Sequence, residues 1–487
     1  MKTTKPELQV GIDRTLQLPI YLQICERFKT AIADGHLQAG ARVPAARGLA
    51  MELKVARGTV EMAYRILVDE GYLQVRGAAG TVVSPALPQP VLRQAQIARS
   101  KAARSAGSIL AAPQDFAIHD GGEPRALQPG LPALDAFPRK VWSRLVAHRL
   151  RSADRAAFVY PNPSGYGPLR ERIATYLGIS RGVQCLPEQV FVTTGYRATL
   201  ELVLRSHAVP GDRFWFEDPG YLLARRFLTQ AGVQLVPVPV DGHGLDVAQG
   251  MKIAPDARFA LVTPSHQSPL GVTLSLERRI ALLEWANDAG SWIVEDDYDS
   301  EFRYLGRPLP ALKSLDRHDR VIYSGTFSKV MFPGLRLAYV VAPASLSERF
   351  RQVCESMNAG APYLLQAGVT DFISEGHFPR HLRRMRLLYA ERRAWIARAL
   401  EREFGDRLRI DLQPGGLQMI ANITDTTDDV VAANRAWAAG LGVHAVSAWY
   451  AHKATAAQRG LLLGFANITS PDDAARIARM LRCGIDG

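Results

Sequence analysis

The sequence predicts a chain of two unlike parts: a small helical head closed by a hairpin, then a large α/β body on a mostly parallel sheet. Three observations carry this. At 487 residues the chain is longer than one hydrophobic core usually organises. Its charge is uneven, since residues 1–110 hold 15 Lys and Arg against 8 Asp and Glu, a balance of +7 within a net +12. Beyond residue 115, short β-branched runs alternate with helical stretches.

The composition is that of a folded protein, with 47% hydrophobic and 22% charged residues. Cys25, Cys185, Cys354 and Cys483 are far apart and form no C-x-x-C pair. That excludes a disulfide framework or a zinc site and suits a reducing cytosol, so no metal is expected. The first seven residues lead into no apolar run, and no apolar stretch reaches 18 residues. Neither a signal peptide nor a membrane span is expected, and the predicted location is cytoplasmic.

In the head, Tyr21, Ile24, Phe28 and Ile32 recur at helical spacing and predict a first helix with one buried face. Gly35 and Gly40 mark its exit. Arg47 to Leu53 reads as a short second helix. Val55 to Leu67 reads as a third, with Val60, Ala63, Tyr64 and Leu67 facing inward. Tyr72–Arg76 and Thr81–Val83 flank Gly77 and Gly80 and predict a hairpin. Two short helices with a tight joint, followed by a hairpin, make a winged helix-turn-helix, whose later helix enters the major groove of DNA. The basic balance agrees with a polyanionic partner, although charge alone leaves a solvated basic surface equally open.

Residues 84–114 are rich in Pro, Ala, Ser and Gln, carry Arg93, Arg99, Lys101 and Arg104, and contain no acid. They predict a flexible basic linker between a head over 1–83 and a body over 115–487.

Strands are predicted at 190–193, 213–216, 234–240, 259–263, 292–295, 321–324 and 338–341, with helical stretches between most of them. Ligands of such sheets gather at strand ends, and the marked residues do follow strands. Lys329 follows 321–324 in Ser-Gly-Thr-Phe-Ser-Lys, with Thr326 and Ser328 beside it and Arg336 seven residues on. Asp296 and Tyr298 follow 292–295. A lysine, an acid and phosphate donors are what pyridoxal phosphate requires: an imine partner, a partner for the pyridine nitrogen, and an anion cradle. From about Pro379 to Glu401, Arg380, Arg383, Arg384, Arg386, Arg392 and Arg393 load one helix, which reads as a solvated face, a DNA contact or a set of ion pairs within a dimer.

The head resembles the GntR repressors. The stretches that carry the resemblance are Pro19–Ile24, Arg42–Ala50, Val55–Val60 and Leu67–Leu73. By that resemblance Arg47, Arg57 and Thr59 touch DNA and Gly77 lets the wing approach closely. Ala45, Ala46 and Ala56 stand where the family often has serine, which removes a capping or phosphate-binding hydroxyl at Ala56. The body resembles class I aminotransferases, the pyridoxal phosphate transferases of fold type I with a smaller C-terminal subdomain. It resembles more closely the MocR/GabR-type regulators, which fuse that body to a GntR head. Tyr160–Gly165, Glu217–Tyr221, Thr263–Gly271, Glu295–Arg303, the lysine loop and Glu375–Arg386 carry this second likeness.

The resemblance implies a role for each matching position. Lys329 holds pyridoxal 5'-phosphate as an imine. Asp296 pairs with the pyridine nitrogen, Tyr298 reaches the ring hydroxyl and Tyr221 stacks on the ring. Thr326, Ser328, Arg336 and the backbone from Gly195 into Tyr196 hold the phosphate, and Tyr160 reaches the phosphate of a second subunit. The implied partners are a double-stranded DNA operator, an amine or B6-related effector and a second copy of the chain, in a homodimer for which a head-to-tail crossing of the heads is one arrangement. Three departures matter. Arg197 stands in the family's glutamine-rich stretch. His266 and Gln267 precede Ser268 and Pro269 where aminotransferases place asparagine, which leans toward a regulator. Between His444 and Asn467 only Arg459 is left to serve as the arginine that grips a substrate carboxylate. Three readings stay open: a regulator sensing an amine, a regulator sensing the cofactor, and a working aminotransferase that also binds DNA.

Overall fold

The computed structural model describes residues 12–14, 16, 18–33, 35–77, 80–85 and 123–486, apart from 305–308, 359, 453, 456 and 457. The chain divides into two compact units, Met1–Asp115 and Phe116–Gly487. Beyond residue 85, the linker predicted over 84–114 lies outside the described residues.

The first unit contains α1 (Ile20–Ala33), α2 (Ala46–Glu52) and α3 (Arg57–Asp69), then β1 (Leu73–Val75) paired antiparallel with β2 (Thr81–Val83). The inward face predicted for α3 is the buried one: Val60, Ala63, Tyr64 and Leu67. In α1, Ile24 and Phe28 are fully buried, while Tyr21 and Ile32 are only partly covered at the margin of the core. Phe28 meets Tyr64 edge-on with ring centroids 5.5 Å apart, and Tyr64 Oη donates to the Pro44 carbonyl at 2.7 Å. This polar tip on an apolar body fastens α3 to the approach of α2. Gly77 and Gly80, at φ +48° and +81°, turn the chain between β1 and β2.

The second unit is built on an eight-stranded sheet. Its strands are β3 (Val190–Thr193), β4 (Arg213–Asp218), β5 (Gln234–Asp241), β6 (Gly244–Leu245), β7 (Phe259–Val262), β8 (Trp292–Asp297), β9 (Val321–Thr326) and β10 (Ala338–Val341). The spatial order is β3-β10-β9-β8-β7-β4-β5-β6. Neighbours from β5 through β9 are parallel; β10 runs antiparallel to both β9 and β3, and β6 runs antiparallel to β5. The strand sequences are continuously apolar because both faces are covered. On β4, Phe214 and Phe216 pack into one apolar layer with Phe259 and Phe350, while Trp215 points to the opposite layer and stacks on Trp285 at 3.8 Å.

A second sheet, of order β11-β12-β14-β13, follows: β11 (Leu408–Asp411), β12 (Gln418–Ile423), β13 (His444–Ala445) and β14 (Gly460–Gly464). Helices His377–Phe404 and Pro471–Asp486 share its apolar core. The arginines of the first of these helices divide into two groups. Arg386 donates to the Glu301 carbonyl, buried Arg392 grips Asp135, and Arg393 reaches the Gln413 carbonyl and lies over Tyr304. These three knit the body together internally, which corrects the reading of one solvated face. Arg383 and Arg384 are exposed. Arg197 is also exposed and lies over the Phe227 ring.

Candidate cofactor site and DNA-reading surface

The parallel strands β8 and β9 end side by side, with Asp296 in register with Ser324. Their C-terminal ends therefore deliver an acid and the lysine loop to one place, as expected for an open α/β sheet. Beyond β9 a single turn, Phe327–Val330, carries Lys329, and the Thr326 hydroxyl oxygen accepts from Ser328 N at 3.1 Å to start that turn. Lys329 Nζ donates to the Gly130 carbonyl at 2.7 Å. Desolvation holds the Lys329 amine below its ordinary value, while Asp299 and Asp296 oppose that shift. An amine that sheds its proton more easily is a better nucleophile toward a carbonyl.

Asp296 is buried, and desolvation pushes its carboxyl up to about 8, with Asp297, Glu217 and Asp299 adding like charge. The Tyr196 hydroxyl lies beside it and works against that rise. A buried acid in this state is stabilised by an incoming cation, and a protonated pyridine nitrogen is one.

Gly195 caps the 12-residue helix Tyr196–His207 with φ +121°. That backbone conformation favours glycine, and a Cβ there would also sit 3.0 Å from Arg336 Nη2. Arg336, itself at φ +51°, is exposed. A helix N-terminus and a guanidinium facing the same space form an anion cradle. Tyr221 lies 6.1 Å from the Tyr196 ring and 6.2 Å from Trp449, within electrostatic reach of Asp296 and Arg336. Tyr298 Oη is 2.9 Å from His266 Nδ1. Lys329, Asp296, Tyr298, Tyr221, Tyr196, Gly195 and Arg336 thus gather around one space, bordered by the turn that holds Thr326 and Ser328. Tyr160 is 86% exposed, and among the described residues no contact joins it to this group. The raised acid, the desolvated amine and the cradle fit pyridoxal phosphate in donor chemistry and arrangement.

Sequence reading missed Gly130 and gave His266 no role. Gly130 precedes every helix and strand among the described residues of the body, and no local pattern marks it. His266 is marked only by its odd spelling before Ser268 and Pro269.

On the first unit, Arg47, Arg57 and Gly77 are exposed and Thr59 is partly covered. Both Ala45 and Ala56 cap their helices with no side-chain hydrogen bond, as their sequence implies. Arg57 Nε pairs with Glu61 Oε1 at 2.7 Å on the open face of α3.

Two family profiles match the chain: bacterial regulatory proteins of the gntR family over residues 20–83, and class I and II aminotransferases over 133–441. A probable rhizopine catabolism regulatory protein MocR from Rhizobium meliloti is 40% identical over 460 residues, covering 94% of this chain and 92% of its own length. The chain belongs to the MocR-type regulators. Within this family a pyridoxine biosynthesis transcriptional regulator, PdxR of Corynebacterium glutamicum, is 32% identical over 94% of each chain. Among solved structures, a Pyrococcus horikoshii kynurenine aminotransferase aligns with TM-score 0.67 and 26% identity, covering 75% of this chain and 91% of that one. The α-aminoadipate aminotransferase LysN of Thermus thermophilus, complexed with a phosphopyridoxyl-leucine, aligns with TM-score 0.67 and 28% identity over 74% and 92%. This MocR-type protein is therefore a DNA-binding transcriptional regulator with a pyridoxal phosphate-binding body of the aminotransferase fold. No helix among its described residues is long and apolar enough to cross a membrane.

Proposed function

We infer that this regulator senses a small amine through the cofactor bound at Lys329 and converts that event into a change in operator binding. The observation that carries the reading is the pairing of a desolvated lysine amine with a buried acid raised to about 8, both at the ends of adjacent strands. Pyridoxal phosphate supplies a carbonyl carbon that exchanges one amine partner for another. Lys329 would be the side chain that holds that carbon, and its amine the group that an effector amine would replace. Asp296 holds the pyridine nitrogen, Tyr298 faces the ring hydroxyl and Tyr221 covers the ring. Thr326, Ser328, Arg336 and the backbone from Gly195 into Tyr196 hold the phosphate, and Tyr160 serves a second subunit of a homodimer. In the head, Arg47, Arg57, Thr59 and Gly77 meet DNA.

The wall beside Tyr221 indicates the effector's chemistry. Val446, Trp449 and Leu462 form a buried apolar cluster there, with Tyr221, Leu222, Leu270 and Ile420 packed against it. Arg225, close by, is already committed to the carbonyls of Trp449 and Tyr450. An amine with an apolar or neutral substituent suits this wall better than one that presents a second anion.

The test is an absorbance titration of the purified protein with a panel of amines, amino acids and sulfonates, wild type beside Lys329→Ala, with operator affinity followed in parallel. A lysine-dependent band that shifts with one compound, together with a change in DNA affinity, supports the reading. Steady release of a keto product would instead make the body a working transaminase. A second reading, sensing of the cofactor itself, is favoured by the likeness to a regulator named for pyridoxine biosynthesis. It predicts that cofactor alone changes DNA affinity and that no amine does.

A further inference from the structure

His266 is used neither by the cofactor cradle nor by the head. It follows β7 and is 5% exposed. Its Nδ1 lies 2.9 Å from Tyr298 Oη and 3.2 Å from Asp299 Oδ2. Asp299 is buried, and its Oδ2 also accepts from Leu417 N at 3.3 Å. The imidazole is clamped on two sides. A Cβ on Gly416 would come within 2.0 Å of its Cε1, and one on Gly271 within 2.9 Å of its Nε2. Glycine is therefore required at both positions, and the ring is fixed in place. Arg181 and Arg303 line the same void as His266 and Asp299, while Asp296 and Lys329 act on Asp299 from the cofactor side.

A carboxylate only accepts hydrogen bonds, so a carboxylate beside Nδ1 favours the tautomer that carries its hydrogen there. Its single hydrogen is shared between Asp299 Oδ2 at 3.2 Å and the closer Tyr298 Oη at 2.9 Å, so toward Tyr298 the histidine only donates, which leaves the phenolic hydrogen free to be given elsewhere. We propose that His266 is a positioning residue: keyed by Asp299, it donates to Tyr298 and so makes the tyrosine hydroxyl a donor toward the ring oxygen of bound pyridoxal phosphate. This rests on the placing of Tyr298 against the cofactor ring. Burial keeps the Tyr298 phenol well above its ordinary range, so it has a proton to give. A donor that itself accepts a hydrogen bond is polarised and donates more strongly.

The experiment follows the absorbance of the cofactor-loaded protein against pH in wild type, His266→Phe, His266→Asn, Tyr298→Phe and the His266→Phe/Tyr298→Phe double variant. A donor at the ring oxygen matters most when the neighbouring linkage nitrogen is unprotonated, because the oxygen's negative charge is then uncompensated. Weakening that donor raises the pH midpoint of the band. His266→Phe should raise it by about half a unit to one unit. Tyr298→Phe should raise it further, and the double variant should match Tyr298→Phe. His266→Asn keeps an N–H close to the Nδ1 position and should stay near wild type. A lowered midpoint in His266→Phe would mean that the histidine accepts from Tyr298, and the proposal fails. It fails equally if the midpoint does not move, or if the shift persists in full without the Tyr298 hydroxyl. An unmoved midpoint in Tyr298→Phe itself overturns the placing of Tyr298 against the ring, and this inference with it.

Discussion

Lys329 Nζ reaches back 199 residues to donate to the carbonyl of Gly130 at 2.7 Å. The contact parks the amine against a piece of backbone rather than against an acid. A Cβ on Gly130 would lie 2.7 Å from that nitrogen, and the backbone there has φ +74°. Gly130→Ala should therefore fold, at a strain of about 1–2 kcal/mol, while its lysine is pushed from its resting place. We expect cofactor affinity to fall about tenfold. Absorbance titration with pyridoxal phosphate beside a thermal melt checks this, and an unchanged affinity would show that the Gly130 carbonyl does not set the lysine's position.

Asp296 gives the protein freed of cofactor a dependence on pH. Folded, it holds its proton up to about 8; unfolded, it would lose it near the ordinary 3.8. Between those values the folded chain binds more protons than the unfolded one, so stability falls as pH rises through the window. Asp296→Asn should remove up to about 1.4 kcal/mol per pH unit from that slope. Urea unfolding midpoints from pH 5 to 8 measure it, and equal slopes in the two proteins would reject the assignment.

Arg57 and Glu61 form an exposed pair on α3. Such a pair contributes little to stability, so DNA phosphate competes with Glu61 easily. Arg57→Ala should weaken operator binding and lower its salt slope by about one, leaving the cofactor spectrum as it was. Glu61→Gln should tighten binding modestly by freeing the guanidinium and removing a like charge from the DNA. Fluorescence anisotropy at several salt concentrations tests both, and unchanged affinity in Arg57→Ala would take that residue out of the interface.

Behind the site, Arg181 and Asp297 are an ion pair buried at both ends, 3% and 1% exposed. Arg181 also donates to the Leu309 carbonyl at 2.6 Å and to Ser265 Oγ at 2.9 Å. Arg181→Met strips Asp297 of its buried guanidinium partner and leaves it the Tyr323 hydroxyl, at a cost of roughly 3–5 kcal/mol. We expect a sharply lowered thermal midpoint and poor soluble yield. A melting curve like that of wild type would show that Asp297 finds another partner.

The sheet and the inward face of α3 were legible because burial writes a local period into the sequence. All seven predicted strands of the large sheet are present, and Val60, Ala63, Tyr64 and Leu67 are the buried set. The C-terminal sheet is not legible strand by strand, because β13 is only two residues long and β14 is a plain apolar run. Within the site, the lysine loop and Asp296 could be read because the chemistry demands those residue types after strands. The Gly130 and His266 contacts could not, since each joins segments far apart in sequence or depends on which nitrogen carries a hydrogen. The arginine-rich helix shows the limit of counting charge: Arg392 and Arg383 look alike in sequence, yet one is buried against Asp135 and the other faces solvent.

The ladder between β8 and β9, with Asp296 opposite Ser324, has a mechanical consequence. The span between the acid and the lysine loop is fixed by backbone hydrogen bonds inside a sheet covered on both faces, and no hinge lies between them. Such a frame cannot flex to report an arriving molecule. Under the sensing role proposed above, movement has to arise in segments outside this ladder, while the frame serves as the fixed anvil against which they work.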